Sequence, residues 1–174
     1  SISNYFEELR TDVEGAYYGF YFMDLANYYA REANDETLLL KLLYQTFRAL
    51  VNTRIPNQLI RYIYELKVIS INGEGPQVFE CIGCGDREQE KVFSIRRGGL
   101  LCRQCAAHVT DGRKLSASTL YAMQYIIASP VEKLYTFLVK EDVLKELGDV
   151  VTAYMAEYLG KSFKSLEILE TLIM

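Results

Sequence analysis

Four cysteines, arranged as two Cys-x-x-Cys pairs, constrain this chain more than any other feature. The pairs are Cys81 with Cys84 and Cys102 with Cys105, and seventeen residues separate them. This spacing is typical of a structural zinc site, in which each pair lies on a tight turn and a hairpin brings the two turns together. Two disulfides or four free core thiols are the alternatives. We predict zinc on all four sulfurs because the chain has no other cysteine.

The predicted coordination indicates a structural and not a catalytic metal ion. Four thiolates complete a tetrahedron and leave no position for water or substrate, so the sequence predicts one structural ion per chain. His108, the only histidine, follows Cys105 by three residues and could replace one cysteine, although a surface position is the simpler interpretation. A thioredoxin-type redox motif would need a surrounding βαβ pattern, which the sequence lacks.

The residues around the cysteine pairs predict a β-hairpin. Residues 92–95 and 100–102 favour strands, and Gly98 with Gly99 favours the turn between them. Gly83 and Gly85 flank Cys84, where a metal-binding turn is expected to need positive backbone φ angles.

The rest of the chain predicts helices. Helical apolar patterns cover residues 1–14, 15–33, 35–52, 56–71, 116–129, 131–138, 142–159 and 165–174. The third of these is apolar on nearly all sides, so we expect it to be central. Ser116 and Asp142 are predicted N-caps, and Pro130 is predicted to end one helix and start the next.

These patterns predict the all-α class: a helical bundle with an inserted four-cysteine zinc-ribbon β-hairpin. We assign residues 1–76 to the first part of the helical domain, 77–108 to the zinc hairpin and 109–174 to the second part of the helical domain.

Composition limits the function. No apolar run approaches the ~20 residues of a membrane span, and zinc-binding thiolates favour the cytoplasm. With a net charge of −4, the chain is expected to be a poor general nucleic-acid binder, so any such contact must come from a local patch or from another domain. It has no phosphate-binding loop, no HExxH motif and no nucleophile beside a histidine. We expect a binding or assembly module, not an enzyme.

Basic residues around the predicted hairpin are one candidate contact site. The main ones are Arg96, Arg97, Arg103, Arg113 and Lys114, the first two at its tip. They form either a solvated rim that offsets the charge of the tetrathiolate or a contact for phosphate or an acidic peptide.

The fourth predicted helix is the other candidate contact site. Arg54, Arg61 and Lys67 lie along it, beside an apolar stripe formed by Leu59, Ile63 and Leu66. A groove of this kind would suit a short acidic, hydrophobic peptide tail, although ordinary helix-surface charge is the alternative.

Several short motifs occur in an order that resembles a known family. They are YELK at residues 64–67, NG at 72–73 with Pro76, the two cysteine pairs, FS at 93–94, GGLLC at 98–102, Ser116, and LGKSFKSL at 159–166. Together they resemble the C-terminal part of the bacterial recombination mediator RecO over essentially the whole chain. Members of that family combine an N-terminal OB-fold with a helical domain that carries this zinc site. No run of five alternating strands precedes residue 1, so we expect the OB-fold to be absent here.

The resemblance implies a role in DNA repair by recombination. Proteins of this family engage the acidic, Phe-ending tail of the single-strand DNA-binding protein, associate with RecR, help load RecA and anneal single strands. By position, the tail site would correspond to the region of Arg61 and Lys67, and much of the DNA contact would belong to the OB-fold. Some relatives lack the cysteines, which implies that zinc supports the fold. The alternative is a cytosolic zinc-ribbon adaptor for protein–protein contacts, such as one linked to transcription. Binding of the tail peptide would distinguish the two.

Overall fold

The architecture is a helical bundle that carries one two-stranded hairpin, which confirms the predicted fold class. The computed structural model describes residues 13–30 and 36–173. Its elements are α1 (Val13–Ala30), α2 (Glu36–Asn52), α3 (Asn57–Ile71), β1 (Lys91–Ser94), β2 (Gly99–Cys102), α4 (Ala117–Ala128), a 3-10 turn (Val131–Lys133), α5 (Glu141–Tyr158) and α6 (Lys164–Ile173). The helix predicted over residues 1–14 lies outside the described residues except for its last two, which begin α1. No described helix combines the length and apolar character that crossing a membrane requires.

Helix α3 is the centre of the bundle. It packs against α1, α2, α4 and α5, and every residue from Leu59 to Ile69 except Tyr62 is buried. Helix α2 keeps an exposed side, so the expectation that residues 35–52 form the central helix is wrong. The apolar pattern pointed to the wrong helix because α3, the helix that is most buried, contains charged residues that are buried together with its apolar ones.

The packing of α5 on α3 depends on Gly148. A Cβ atom at this position would lie within 2.6–2.7 Å of the Tyr62 ring of α3. Real Cβ atoms do not approach other atoms so closely, so the absence of a side chain lets the two helices meet here. On the other side of the bundle, α6 packs on α1, where the Ser165 hydroxyl donates to Asp24 at 2.6 Å.

The segment before α5 differs from the sequence prediction. Pro130 does end α4, but only a 3-10 turn follows, and residues 137–140 are not helical, so the helix predicted over 131–138 is wrong. Ser116 is confirmed as an N-cap because its hydroxyl accepts the Thr119 N–H at 3.2 Å. Asp142 is not the cap of α5: the cap is Lys140, and the Asp142 carboxylate accepts only the neighbouring Val143 N–H.

The hairpin has two different faces. Strands β1 and β2 pair antiparallel from Lys91 opposite Cys102 to Ser94 opposite Gly99. Phe93 and Leu100 point into the main core, whereas Leu101 packs with the buried cysteines. Since side chains alternate along a strand, one face of the hairpin can serve the helices and the other the cysteine cluster.

Helix α5 fixes the hairpin to the bundle. The Tyr158 hydroxyl donates to the Ile95 carbonyl in the hairpin turn at 2.6 Å. The Tyr154 hydroxyl donates at 2.6 Å to the carbonyl of Glu74, in the segment that leads from α3 towards the hairpin. The hairpin therefore shares part of its core with the helices, and the division at residues 76 and 108 stays a prediction.

Candidate functional site: a four-cysteine centre and an arginine cavity

The four cysteine sulfurs converge on one point. All four Sγ atoms lie within 4.8 Å of one another, and those of Cys84 and Cys102 are 3.8 Å apart. A tetrahedral zinc ion with sulfur at ~2.3 Å sets its ligands about 3.8 Å apart, whereas a disulfide needs about 2.05 Å. All four cysteines are free, so the disulfide alternative is wrong and the cluster can hold a tetrahedral metal ion.

Glycines shape the first metal-binding turn for two different reasons. Gly85 has a φ of +78°, the positive value predicted for this turn. Gly83 instead allows a close approach, because a Cβ there would lie 2.7 Å from the Cys105 sulfur. The N–H groups of Gly83 and Cys102 both donate to the Cys81 sulfur at 3.3 Å. The first turn and strand β2 thus each place one backbone donor at this sulfur, an arrangement suited to a metal-bound thiolate.

Electrostatics within the cluster favour a bound cation. Burial opposes ionisation of Cys81, but backbone N–H donors, that of Cys102 foremost, lower the pKa of this thiol to about 6. Hydrogen bonds with the sulfurs of Cys102 and Cys81 raise the pKa of Cys105 to about 12. Negative sulfurs this close repel one another, and a cation would remove that repulsion. His108 is exposed, and within the described residues only the four cysteines converge here.

The turn of the hairpin presents Arg96 and Arg97. Both side chains are exposed, and within residues 13–30 and 36–173 neither forms an ion pair. Asp111 holds the turn from below: its carboxylate accepts the Ser94 hydroxyl at 2.6 Å and the Arg96 N–H at 3.0 Å. The two arginines therefore sit on a backbone that Asp111 holds, with their side chains exposed.

The other predicted basic residues do not all lie at this turn. Arg103 follows β2, so a strand of four residues, about 13 Å, separates it from the turn. Arg113 lies beside β1, where its backbone exchanges hydrogen bonds with Phe93. Lys114 forms an ion pair with Glu90. A DNA-binding role for these residues stays a prediction.

Arg61 lies inside the bundle, only 6% exposed. Its Nε contacts Glu65 at 3.3 Å, and its terminal nitrogen contacts Glu170 of α6 at 3.4 Å. The Tyr21 hydroxyl donates to the same Glu65 oxygen at 2.6 Å. Burial raises the pKa of Glu65, although Arg61 and Tyr21 both favour the ionised carboxylate. Tyr21, Glu65 and Arg61 thus form a buried hydrogen-bonded chain.

Lys67 lies on a different side of α3. It is six residues after Arg61, which is about 240° further around the helix. Its ammonium donates to the carbonyls of Ile127 and Ser129, at 2.9 and 2.6 Å, and so satisfies the C-terminal end of α4. Burial lowers the pKa of Lys67. The structure therefore does not bring Lys67 together with Arg61.

The apolar groove expected on this helix is not present among the described residues. The apolar stripe that we expected to line this groove lies in the core. Leu59, Ile63 and Leu66 are each no more than 1% exposed. These side chains face neighbouring helices and cannot receive a peptide. A partner-binding role for Arg61 and Lys67 stays a prediction.

A cavity of about 430 Å³ lies beside Arg61, and sequence reasoning missed it. Its lining includes Arg61, Met155, Leu159, Lys161, Leu166 and Glu170. Three of these residues belong to the segment 159–166. Its motif indicated a family resemblance but did not predict a contact role. A larger cavity of about 910 Å³, between α4 and residues 136–143, contains none of the predicted site residues.

The fold and the cysteine cluster define a class of protein: a helical bundle that carries a hairpin with four cysteines able to hold a metal ion. A family model described as "Recombination protein O C terminal" matches residues 10–167, and the chain belongs to this family.

The similarity extends to proteins that are named as DNA repair proteins. The chain is 34% identical to the DNA repair protein RecO of Acetivibrio thermocellus, over 96% of this chain and 67% of that protein. It is 30% identical to the RecO protein of a Thermoanaerobacter species, over 87% and 61%. It is 28% identical to that of Halalkalibacterium halodurans, over 96% and 65%. The chain spans about two thirds of the length of these relatives.

Proposed function

We propose that this chain is a non-enzymatic domain of a recombination mediator. In this role it engages the single-strand DNA-binding protein and RecR, and thereby helps to load RecA and to anneal single strands. The observation that carries the proposal is the family match over residues 10–167, together with the similarity to DNA repair proteins.

The proposed cofactor is one structural zinc ion on Cys81, Cys84, Cys102 and Cys105. Soft thiolate ligands in a closed tetrahedral set favour zinc, and leave no position for a substrate. The ion would hold the hairpin, and with it the Arg96–Arg97 turn, in place on α5. An exposed pair of arginines on a fixed turn suits contact with phosphates of a single strand.

The cavity beside Arg61 is the proposed site for the tail of the single-strand DNA-binding protein. A tail that ends in an aromatic residue needs an apolar slot, and its carboxylates need cations. Met155, Leu159 and Leu166 supply the apolar lining, while Arg61 and Lys161 supply the positive charges. Lys161 replaces Lys67 in this proposal, because the Lys67 ammonium is bound to α4.

The test uses two exposed lysines three residues apart. Lys161 lines the cavity, whereas Lys164 pairs with Glu167 outside it. A labelled acidic peptide with a free C-terminal phenylalanine is titrated into wild type, Lys161→Ala and Lys164→Ala at moderate salt. We expect Lys161→Ala to raise the Kd about threefold to fivefold, the usual size for a partly exposed charge contact, and Lys164→Ala to leave it unchanged.

Two outcomes would contradict the proposal. Equal affinities for both variants would exclude the cavity as the tail site, and no binding to wild type would favour a zinc-ribbon adaptor with other partners. Arg61→Glu is a poor reagent here, because it would place a second carboxylate beside the buried Glu65 and destabilise the fold.

A further inference from the structure

Arg61 has two carboxylate partners of unequal character. Glu65 is 1% exposed and is itself held by the Tyr21 hydroxyl, so it fixes the guanidinium from inside the bundle. The Glu170 side chain is 50% exposed and lines the cavity together with Arg61. The inner partner therefore positions Arg61, and the outer partner is open to exchange.

The contact between Arg61 and Glu170 is weak but persistent. The Glu170 side chain is half exposed and its oxygen lies 3.4 Å from the guanidinium, so water already competes for this carboxylate and another can replace it with little loss. The helix that carries Glu170 is nevertheless fixed, because Leu169 is fully buried and Ser165 bonds to Asp24 of α1. Glu170 thus stays beside Arg61 as an intramolecular ligand at high effective concentration.

We infer that Glu170 is a built-in competitor for the carboxylate of the ligand that this cavity binds. It occupies the position at Arg61 that an incoming carboxylate takes, and the inference rests on the proposed function of the cavity. A ligand that offers a carboxylate alone gains nothing by the exchange. A peptide that also places an apolar side chain against Leu159 and Leu166 gains a second contact and displaces Glu170. The competitor therefore selects for ligands that combine the two groups.

The experiment compares Glu170→Gln with Glu167→Gln. Both residues lie on α6 and both side chains are at least half exposed, but Glu167 pairs with Lys164 and does not line the cavity. The probe is the acidic peptide with a C-terminal phenylalanine, as free acid and as C-terminal amide. We expect Glu170→Gln to bind the free acid about threefold to fivefold more tightly than wild type, and Glu167→Gln to match wild type.

The remaining measurements identify the cause of the gain. The gain in Glu170→Gln is expected to shrink as salt rises, and to be smaller for the peptide amide. Acetate at the same concentration as the peptide is expected not to compete with it in wild type. Thermal melts of both variants check that the fold is intact.

The outcomes separate the inference from the proposed function. If wild type binds the peptide and Lys161→Ala weakens it, but Glu170→Gln binds no more tightly than wild type, the competitor is refuted and the tail site stands. An equal gain in Glu167→Gln would also refute it, because net charge would then be the cause. If neither wild type nor Glu170→Gln binds the peptide, the proposed tail site fails, and the inference fails with it.

Discussion

The cysteine centre and the Arg61 cavity differ in how much of the chain builds them. The four cysteines lie within one segment, from Cys81 to Cys105, and two turns with a short hairpin bring their sulfurs together. The Arg61 cavity draws side chains from α1, α3, α5 and α6, from Tyr21 to Glu170. The cysteine centre depends on local turns because its residues are close in sequence. The Arg61 cavity exists only when four helices pack together.

The two regions also neutralise charge differently. In the cysteine centre the crowded sulfurs favour an external cation, so its stability is linked to metal binding. Around Arg61 the chain supplies its own counter-charges, one buried in Glu65 and one exposed in Glu170. Removing the metal takes away the counter-charge of the sulfurs, whereas removing Glu65 leaves Arg61 with only the half-exposed Glu170.

Metal removal is the largest effect that we expect. Without the ion the hairpin unfolds, and the main core loses the burial of Phe93, Ile95 and Leu100, each worth roughly 1.5–3 kcal/mol. The free energy of unfolding should fall by about 5 kcal/mol or more, and Tm by about 10 °C or more. Chelation of wild type and the variant Cys102→Ser, followed by circular dichroism, measure this.

The control for metal removal is His108→Ala, which should keep one zinc per chain by elemental analysis because His108 is outside the cluster. Helical signal at low temperature should persist in Cys102→Ser. Its complete loss would show that the helices cannot fold without the hairpin, and metal-free wild type of full stability would refute the zinc assignment.

Removal of the inner carboxylate is the next largest effect. Glu65→Ala leaves the buried guanidinium of Arg61 and the Tyr21 hydroxyl without their shared partner. Breaking a buried charge pair costs about 3–5 kcal/mol, which urea denaturation can measure. Zinc content should stay at one per chain, and the loss should add to that of Cys102→Ser, because the two sites share no contact. The matched control is Glu157→Ala, an exposed glutamate on α5. A loss of less than about 1 kcal/mol in the free energy of unfolding of Glu65→Ala would contradict a stabilising role for the hydrogen-bonded chain of Tyr21, Glu65 and Arg61.

The smallest effect on stability is expected at the arginine turn. The double change Arg96→Gln and Arg97→Gln should alter the free energy of unfolding by less than about 0.5 kcal/mol, because both side chains are exposed. Any affinity of the chain for single-stranded DNA should nevertheless fall, with the slope of log K against log salt reduced by about 1.4 for two lost phosphate contacts. Filter binding across a salt series measures both.

A matched pair of cations provides the control for the turn. Arg87 and Lys114 are exposed near the hairpin but are paired with Glu80 and Glu90. The double change Arg87→Gln and Lys114→Gln removes the same charge and should weaken binding less. Equal losses in the two double variants would indicate that net charge governs binding, and not the turn.

Most of the secondary structure could be predicted because its signals are local. Apolar periodicity located the helices, Ser116 marked a helix start, and Gly98 marked the hairpin turn. The prediction was wrong at residues 131–138, where Val131 and Leu134 are buried in the core although the backbone forms only a 3-10 turn and is not helical beyond it. An apolar pattern identifies a helix less reliably where the same residues can also be buried by a non-helical backbone.

The sequence by itself determined the cysteine centre, since two Cys-x-x-Cys pairs bring the same four sulfurs together whatever the surrounding fold. Only the tertiary structure decided that Arg61 lies beside a cavity while Lys67 supports the end of α4. The physical reason is that a charged side chain can be buried only where a partner meets it. Arg61 meets Glu170, which is 109 residues further along the chain. Lys67 meets carbonyl groups that are at least 60 residues away. No sequence pattern along α3 predicts these contacts, because they depend on how the helices pack.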